Sequence, residues 1–483
     1  MKILFINPNV LVHKDYQMKE TGVPLGILYM ASVLMEHGHE VLLVDCLSED
    51  RNNRRFFADI FDEVGLDDDD IIKRIDAFSP DLIALSCMFT FRFPLVLRIA
   101  KKIKDRDPTI PIIVGGVLVT GLPQLFLKNE YFDYVMMGEG ERTMLEFVNA
   151  IERKAPESDL KNIPGLGFCN NGSTYLNDKF DRVENLDSLP LPARHLIDNF
   201  QVYLDFGRNS VITARGCALN CIFCCLHLVA GRKMRFRNPK LVVDELEFIQ
   251  KTYNHDFMVL ENDNFTLNKK HAHGVLDEMI KRNLGINWTC VNGVSVNSLD
   301  YDLLKKMRKA GCHSIFTAVE SADYDVLKAM RKQVDLDKVI ELRKWTQELG
   351  MFLRGFFLFG VPGDNMAAME KTLDFAIKVG FDSIASSIVS PHPGTEIYNW
   401  CIEKGYIDPD NIDFTKMNHF EPNFPIPGIT MEEIKSFQQY FNKRFVESRG
   451  EGYDFDEMIE VMKWPTIESL DEMRMKTFGF KDI

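Results

Sequence analysis

The sequence predicts an α/β protein in which a doubly wound, flavodoxin-like parallel sheet is followed by a partial (β/α)6 barrel of the TIM type and by a helical C-terminal region. Short apolar segments of strand length alternate with amphipathic segments of helix length, once over residues 1–155 and again over 207–405. Proline and glycine interrupt this alternation over 156–206, and residues 406–483 are polar and prone to form helices. Such alternation is typical of parallel sheets that helices cover on both faces.

The N-terminal segment contains five candidate strands and four candidate helices. The strands are predicted at Lys2–Ile6, Val41–Asp45, Leu82–Ser86, Ile110–Val114 and Tyr134–Met137. The helices are predicted at Leu25–His37, Ile71–Phe78, Pro94–Lys104 and Arg142–Glu152. Because doubly wound sheets bind ligands at the carboxyl ends of their strands, the residues that directly follow these strands are candidate binding residues.

A structured linker and the barrel follow. Within 156–206, Asn170-Asn171-Gly172 predicts the turn of a β-hairpin. Six further strands, with helices between them, are predicted at Ser210–Thr213, Phe257–Glu261, Ile286–Val291, Ser314–Val319, Phe352–Phe359 and Ser383–Val389. Six β/α units form a large part of a TIM barrel, whose active site lies at the carboxyl ends of the strands.

Composition and charge exclude several classes of function. The net charge is −14 and no block of five or more Lys and Arg is present, so nucleic acid is not an expected partner. No apolar run is long enough for a membrane span, and residues 1–8 contain no signal-peptide cleavage site. We therefore expect a cytoplasmic protein. In that reducing compartment, clustered members of the ten cysteines are candidate metal ligands rather than disulfide partners.

The most informative motif places three thiols within eight residues after the first barrel strand. Cys217, Cys221 and Cys224 have the spacing Cys-x3-Cys-x2-Cys. A [4Fe–4S] cluster is normally held by four thiolates, so three local ligands leave one iron open to chelate a substrate. The other interpretations are a set of buried small apolar residues and a structural zinc site. A zinc site usually needs four ligands in two pairs, and no second pair is present.

This motif on a partial barrel resembles the radical S-adenosylmethionine (SAM) superfamily, and the resemblance covers residues 208–400. It implies that the three cysteines hold a [4Fe–4S] cluster whose open iron binds the amine and carboxylate of SAM. It also implies that Phe223, which precedes the third cysteine, contacts the adenine. We interpret Cys225 as a spectator, because its side chain should point away from that of Cys224.

Residues at the ends of later barrel strands strengthen the resemblance. Glu261-Asn262-Asp263 ends the second strand, where family members carry polar groups near the methionine moiety. Val319-Glu320-Ser321 resembles the family's Val-Glu-Ser-Gly element, with Ala322 in place of the glycine. Gly360-Val361-Pro362-Gly363 is similar to a Gly-Leu-Pro-Gly turn of the family. The SAM contacts that the resemblance implies are Phe223, Glu261, Asp263, Glu320, Ser321, Arg354 and Gly360.

A branch of this superfamily has an N-terminal cobalamin-binding domain, which residues 1–150 resemble. The glycines that follow the fourth and fifth strands remove side chains, so that a broad ligand can approach the backbone. No Gly-x-Gly-x-x-Gly opens the first helix, so the nicotinamide fingerprint is absent. The cobalamin contacts that the resemblance implies are Asn7, Pro8, Asn9, Ser86, Cys87, Met88, Gly115, Gly116, Gly138, Glu139 and Gly140.

His13 bears on how cobalt would be ligated. Cobalamin mutases with this type of sheet use Asp-x-His-x-x-Gly after the first strand, and that histidine ligates cobalt. His13 follows the first strand here without the surrounding pattern, so we expect it in a surface loop. The resemblance then implies that no protein imidazole binds the lower face of cobalt, which favours transfer of a methyl group to a carbon radical.

The function that the resemblance implies is C-methylation of an unactivated carbon. A 5′-deoxyadenosyl radical from SAM would take hydrogen from the substrate, and methylcobalamin would supply the methyl group. The two domains should then face each other, strand ends to strand ends, to hold the reacting atoms together. The expected substrate is a small molecule, a lipid, a tetrapyrrole or a peptide. The expected electron donor is a reductant such as flavodoxin or ferredoxin, and the reaction is expected to be anaerobic.

Three alternatives remain open. Close relatives with the same cofactors perform oxidative cyclisation or rearrangement. A methylthiotransferase would carry a second cluster on cysteines after the first three strands. Cys46 and Cys87 follow strands two and three, but strand one is followed by Asn7-Pro8-Asn9, and no basic RNA-binding tail follows the barrel. A non-catalytic cobalamin or redox sensor would need an output module, and residues 406–483 have no basic helix-turn-helix character.

Overall fold

The computed structural model describes residues 1–14, 22–58, 60–170, 172–451, 453–454, 456–458 and 467–478. The strands of the N-terminal part are β1 (Lys2–Asn7), β2 (Val10–His13), β3 (Glu40–Asp45), β4 (Arg54–Phe56), β5 (Phe61–Val64), β6 (Leu82–Ser86), β7 (Ile112–Gly115), β8 (Tyr134–Met136), β9 (Leu166–Asn170) and β10 (Ser173–Leu176). The helices of this part are α1 (Leu25–Glu36), α2 (Cys46–Glu49), α3 (Asp68–Phe78), α4 (Phe93–Arg106), α5 (Val117–Gly121), α6 (Pro123–Leu127), α7 (Gly140–Glu152), α8 (Glu157–Asn162) and α9 (Gln201–Asp205).

The main N-terminal sheet has five parallel strands in the order β3-β1-β6-β7-β8. Numbered along the chain this is the 2-1-3-4-5 order of flavodoxin-like sheets, so the predicted fold and its five strands are confirmed. The predicted hairpin is also present: Ser173 pairs with Asn170, and β9 adds antiparallel to β8. Asn171, at the predicted turn, lies outside the described residues.

Alternate residues of β1 supply two cores. Ile3 and Phe5 pack with residues of α1 and α7 on one face of the sheet. Leu4 and Ile6 pack with residues of α3 and α4 on the other face. Because both faces are covered, the four central residues of β1 are all apolar rather than alternating with polar residues. The carboxyl edge of the sheet is therefore the place where a ligand can approach.

Strands β2, β5 and β4 form a small antiparallel sheet that the sequence analysis did not predict. His13 is the last residue of β2 and is 6% exposed. Its ring packs against Phe61 and Phe420, with centroids 6.0 and 4.9 Å away. The expectation that His13 lies in a surface loop was therefore wrong. The reason is that β2 is only four residues long and its partner β5 lies far along the chain.

The strands of the second part are β11 (Ser210–Val211), β12 (Ala214–Arg215), β13 (Arg235–Phe236), β14 (Phe257–Leu260), β15 (Asn287–Thr289), β16 (Cys312–Glu320), β17 (Phe352–Phe359) and β18 (Ser383–Ile388). Its helices are α10 (Leu226–Val229), α11 (Pro239–Tyr253), α12 (Lys269–Arg282), α13 (Tyr301–Lys309), α14 (Tyr324–Ala329), α15 (Leu336–Glu348), α16 (Met366–Val379), α17 (Glu396–Glu403), α18 (Met431–Ser448) and α19 (Ile467–Phe478).

Six parallel strands form the partial barrel in sequence order, β11-β14-β15-β16-β17-β18. All six predicted barrel strands are therefore confirmed. Leu353 and Phe357 belong to the core between the strands and the surrounding helices. Because side chains alternate along a strand, Arg354 and Phe356 face the barrel interior, together with Phe316 of the neighbouring strand.

The C-terminal region is helical, as predicted, and closes one end of the barrel. Helix α18 packs on β18 and α16. Met458 and Met473 pack with Phe316 and with Phe352, which is the first residue of β17. The amino ends of the strands are thus covered, and the carboxyl ends remain available for a site. Within the described ranges, no helix is both long and apolar enough to cross a membrane.

The two sheets point their carboxyl edges at each other. Thr90 follows β6, and a hydrogen bond of 3.1 Å joins its Oγ1 atom to Nδ1 of His392, which follows β18. Helix α5, which follows β7, contacts α10 of the cysteine-containing segment. This is the strand-end to strand-end arrangement that the sequence analysis expected.

Candidate active site

The cysteine loop, residues 217–224, is fixed by backbone hydrogen bonds to three other segments. The Cys217 amide donates to the Gly231 carbonyl at 3.2 Å. The Ile222 amide donates to the Met330 carbonyl at 3.2 Å, and the Ile222 carbonyl accepts from the Ile397 amide at 3.3 Å. The loop is thereby held at the carboxyl end of the barrel, between the β12–β13 hairpin and the segments that follow β16 and β18.

The three thiols of this loop are partly exposed and lie near one another. Burial raises the pKa of Cys217 and Cys221, and it raises the pKa of Cys224 to about 12, to which the neighbouring thiols contribute. The thiols are then protonated at neutral pH until bound iron stabilises the thiolates. Among the described residues, no three His, Cys, Asp or Glu side chains converge on a single ion. The three thiols instead fit a cluster, in which each thiolate binds a different iron.

An ion pair lies beside these thiols; its carboxylate, Glu320, was among the predicted residues, whereas its lysine, Lys332, was not. Lys332 Nζ lies 2.7 Å from Glu320 Oε1 and 6.0 Å from the centre of the Phe223 ring. Burial alone would lower the pKa of Lys332, but Glu320 and Cys221 raise it above its usual value. The ammonium therefore stays charged and offsets negative charge at the cysteine loop. No local motif marks Lys332, because it lies in the segment after α14, 12 residues beyond Glu320.

Glu320 is held in an unusual backbone conformation. Its φ angle is +66°, in the left-handed region that side chains rarely adopt, and the pairing register shifts between Ala318 and Glu320. The next residue, Ser321, accepts a hydrogen bond from the Asp323 amide at 3.1 Å, and its hydroxyl lies 3.3 Å from that of Thr372. Strain of this kind clusters at functional sites, and here it turns the Glu320 carboxylate toward Lys332.

The end of β14 supplies two carboxylates. Ser210 Oγ donates to Glu261 Oε2 at 2.7 Å. Asn262 ties this end to β11, because its side chain bonds both the amide and the hydroxyl of Thr213, at 3.1 and 2.9 Å. Burial, with Glu261 nearby, raises the pKa of Asp263 to about 7. Asp263 is thus a carboxyl group that titrates near neutral pH at the mouth of the barrel.

The predicted SAM residues lie at two levels of the barrel. Gly360 follows β17, and its amide donates to Asp364 Oδ2 at 3.1 Å. Arg354 lies on the same strand but is its third residue, and it is only 5% exposed. The predicted residues that lie at or just after strand ends are Phe223, Glu261, Asp263, Glu320, Ser321 and Gly360. Arg354 lies deeper in the barrel interior than these six.

The carboxyl edge of the N-terminal sheet presents backbone and apolar side chains. Met88 and Phe89, just after β6, are 49% and 47% exposed, which is high for large apolar residues. Other predicted cobalamin residues that are partly exposed along this edge are Asn7, Ser86, Gly115, Gly116, Gly138 and Gly140. A broad surface of this composition fits a large macrocycle better than it fits a small charged ligand.

Four of the predicted cobalamin residues are buried beneath this edge: Pro8, Asn9, Cys87 and Glu139. Asn9 is 0% exposed, and its side-chain amide donates to Glu63 and to the Leu66 carbonyl. Cys87 is also 0% exposed. The structure therefore does not support a contact between these side chains and a ligand, because packing and hydrogen bonds inside the protein already enclose them.

Two of the glycines at this edge approach other parts of the protein closely. Gly116 has a φ angle of +124°, and a Cβ atom there would overlap the carbonyl oxygen of Cys87. A Cβ atom at Gly140 would meet Sδ of Met30, which is near the end of a flexible side chain. Backbone packing therefore already requires glycine at position 116, and the approach of a ligand is not needed to explain it.

Ion pairs between the domains attach the N-terminal sheet to the cysteine loop. Glu139, after β8, accepts from both terminal nitrogens of Arg235 on β13, at 2.5 and 2.7 Å. Glu141 pairs with Arg215 on β12 at 2.6 Å, and Arg215 precedes Cys217 by two residues. These interdomain ion pairs give Glu139 and Glu141 a positioning role that the sequence analysis did not foresee.

Cys46 and Cys87, the candidate ligands of a second cluster, are core residues. Both are 0% exposed and pack with Val44 and Val114. Burial raises the pKa of both thiols above the usual value. Buried thiols of this kind are poor cluster ligands, so the structure does not favour the methylthiotransferase alternative.

Two family models match the chain. The model described as the B12 binding domain matches residues 17–148. The model described as the radical SAM superfamily matches residues 211–376. The first match includes β3, β6, β7 and β8 of the sheet with the apolar edge, and the second begins within β11 and includes the cysteine loop.

Curated proteins align with almost the whole chain. An uncharacterised methyltransferase of Pyrococcus horikoshii is 29% identical over 90% of each chain. Cytidylyl-2-hydroxyethylphosphonate methyltransferase of Streptomyces wedmorensis is 27% identical over 94% of this chain and 91% of its own. The anaerobic magnesium-protoporphyrin IX monomethyl ester cyclase of Rubrivivax gelatinosus is 24% identical over 92% of this chain and 79% of its own.

A solved structure has the same fold. The radical S-adenosylmethionine methyltransferase TsrM of Kitasatospora setae, solved with cobalamin and a [4Fe–4S] cluster, matches with a TM-score of 0.68 at 17% identity. The match covers 94% of this chain and 86% of that one. These matches show that the chain contains a B12 binding domain followed by a radical SAM domain, and that its cofactors are cobalamin, a [4Fe–4S] cluster and SAM.

Proposed function

We propose that this enzyme methylates an unactivated carbon of its substrate. The observation that carries the proposal is the opposition of two edges of different chemistry. One edge carries three thiols beside a lysine, and the other is a broad apolar surface. When bound there, the cofactors supply the radical and the methyl group, and the protein brings them to one carbon atom. The two curated methyltransferases that align over most of their length support the same activity.

The residues have distinct roles in this proposal. Cys217, Cys221 and Cys224 hold the cluster, while Lys332 offsets its negative charge. The proposed SAM-binding residues are Phe223, Glu261, Asp263, Glu320, Ser321 and Gly360. The proposed cobalamin-binding residues are Asn7, Ser86, Met88, Gly115, Gly116, Gly138 and Gly140. The interdomain ion pairs keep the two sets at a fixed separation.

A second candidate is oxidative cyclisation, which the similarity to the magnesium-protoporphyrin cyclase favours. The two functions differ in what SAM becomes. Methylation consumes one SAM for the methyl group, which leaves S-adenosylhomocysteine, and one for the radical, which leaves methionine and 5′-deoxyadenosine. Cyclisation needs only the radical and yields methionine and 5′-deoxyadenosine without S-adenosylhomocysteine.

The test needs no knowledge of the substrate. The protein is purified without oxygen, reconstituted with iron, sulfide and hydroxocobalamin, reduced, and mixed with SAM that carries a deuterated methyl group. Deuterated methylcobalamin and S-adenosylhomocysteine are the products expected of a methyltransferase. Formation of 5′-deoxyadenosine with no methylcobalamin would reject methylation and leave cyclisation.

The cysteines and the cluster bear on the cellular compartment and on the electron donor of the enzyme. All ten cysteines are free, which is typical of a reducing compartment, and we infer that the enzyme acts in the cytoplasm. The cluster needs an external electron, which a flavodoxin or ferredoxin could supply. The substrate classes that remain open at this point are a small molecule, a tetrapyrrole, a lipid and a peptide.

A further inference from the structure

Arg354 is a buried cation with no counter-ion among the described residues. It is 5% exposed, and its Nε and Nη1 atoms have no hydrogen-bond partner. The rings of Phe316 and Phe356 lie 5.6 and 5.9 Å from its guanidinium carbon. These faces stabilise a cation but accept no ordinary hydrogen bond. A buried charge without hydrogen bonds is strongly unfavourable, so this guanidinium is stabilised when a ligand supplies an anion.

A second guanidinium adds to the positive charge. Arg208 lies two residues before β11, and burial lowers its pKa while Glu261 raises it. Burial lowers the pKa of Arg354 to about 10, and the positive charge of Arg208 contributes to that shift. The positive charge of Arg208 thus acts on Arg354, while Glu261 is the charged group that acts on Arg208. An oxyanion that accepts hydrogen bonds from Arg354 would also be attracted by the charge of Arg208.

The barrel interior is open above Arg354. Phe356 and Ala318 face inward from the central strands β17 and β16, and both are partly exposed although helices cover the outer face of the barrel. Met458 and Met473 cover the other end. The partial exposure of these two side chains indicates that a ligand would approach Arg354 from the carboxyl ends of the strands.

The depth of Arg354 in the barrel indicates which molecule supplies the anion. It precedes Phe359, the last residue of β17, by five residues, which is roughly 16 Å along a strand. The cysteine loop and the other proposed SAM-binding residues lie at the strand ends. The carboxylate of a SAM molecule bound to the cluster would remain at that level. The anion at Arg354 therefore belongs to a different molecule.

We propose that Arg354 binds an anionic group of the substrate, a phosphonate, phosphate or carboxylate, inside the barrel, and that the charge of Arg208 adds to the attraction. The assignment rests on the proposed function and names its substrate class: an elongated anionic small molecule. Its anion is remote from the carbon that is methylated, because the radical forms at the strand ends.

The test measures anion binding and SAM binding separately in the reconstituted holoenzyme. Methylphosphonate and propionate serve as probes at constant ionic strength, and binding is followed by calorimetry and by the shift in melting temperature. The variants are R354Q, R354K and R208Q. R153Q is the matched control, because Arg153 lies at the exposed end of α7 and pairs with Asp159.

We expect R354Q to weaken binding of at least one probe roughly ten-fold or more, with R354K and R208Q intermediate and R153Q unchanged. SAM affinity and 5′-deoxyadenosine formation should change less than about two-fold in R354Q. Loss of SAM affinity in R354Q with probe binding intact would assign Arg354 to SAM, as its sequence context first implied, and would overturn the proposal.

Two other outcomes are decisive. If neither probe binds the wild type, or if R208Q and R354Q bind them as the wild type does, Arg354 is a structural cation held by the two rings. R208Q keeps the test informative should R354Q fail to fold. Anion binding that depends on both arginines, in an enzyme that forms no methylcobalamin, would retain the anion site while rejecting methylation.

Discussion

The carboxyl edges of the barrel and of the N-terminal sheet face each other and differ in chemistry: the barrel edge is charged, and the sheet edge is apolar. At the barrel edge, charged side chains are held by specific partners: Lys332 forms an ion pair with Glu320, and Ser210 donates a hydrogen bond to Glu261. At the sheet edge, Met88 and Phe89 stand exposed. A charged ligand needs side chains of opposite charge at fixed positions, whereas a macrocycle needs a large apolar contact surface. The contrast teaches that the barrel edge sets the chemistry and the sheet edge provides a broad surface.

The largest effect is expected from removing one thiol of the cysteine loop. C217S should lose most of the iron and lower 5′-deoxyadenosine formation by at least about 1000-fold, because two thiolates cannot hold the cluster. Iron and sulfide content together with product formation measure this. C225S is the matched control and should keep about four irons per chain. Equal loss in C225S would make Cys225 a ligand and change the assignment of the loop.

The next effect tests whether the barrel edge depends on paired charges. K332M leaves the Glu320 carboxylate buried without its partner and removes a cation near Cys221, so SAM cleavage should fall roughly 10- to 100-fold. The double variant K332M/E320Q removes the unpaired charge as well. It should recover stability, measured by thermal unfolding, but not SAM cleavage. Full recovery of both would show that Lys332 serves only to neutralise Glu320.

A smaller effect is expected at the connection between the two edges. E141Q weakens the ion pair with Arg215 and should lower the free energy of unfolding by about 1–3 kcal/mol. It should also lower the yield of products more than the content of iron or cobalt, because both cofactors stay bound while their separation changes. E146Q on the exposed face of α7 is the control. Loss of cobalt alone would instead place Glu141 in the cobalamin site.

Most of the fold could be predicted because its signals are local. Most strands of the two parallel sheets lie in short, largely apolar segments, and every predicted strand is present. Strand β2 was missed because four residues give little periodicity and its partner β5 follows after a long separation. His13 was misplaced for the same reason.

Site residues could be predicted from the sequence only where they lie close together along the chain. The three cysteines lie in one segment, so their spacing was sufficient to predict a cluster site. Lys332 and Arg208 carry no motif, because their roles depend on how distant segments pack. Glu139 was assigned to a ligand because a strand-end position does not reveal that Arg235 already binds its carboxylate.

The smallest effect tests the apolar edge itself. M88D places a charge where the proposed macrocycle would cover the side chain, and it should weaken cobalamin binding roughly ten-fold, about 1–2 kcal/mol. Equilibrium titration with hydroxocobalamin measures this. M35D is the matched control, since Met35 lies near the end of α1, away from the edge, and is 38% exposed. Equal affinity in M88D and M35D would mean that the exposed apolar surface after β6 does not bind cobalamin, and the division of roles between the two edges would then lose its support.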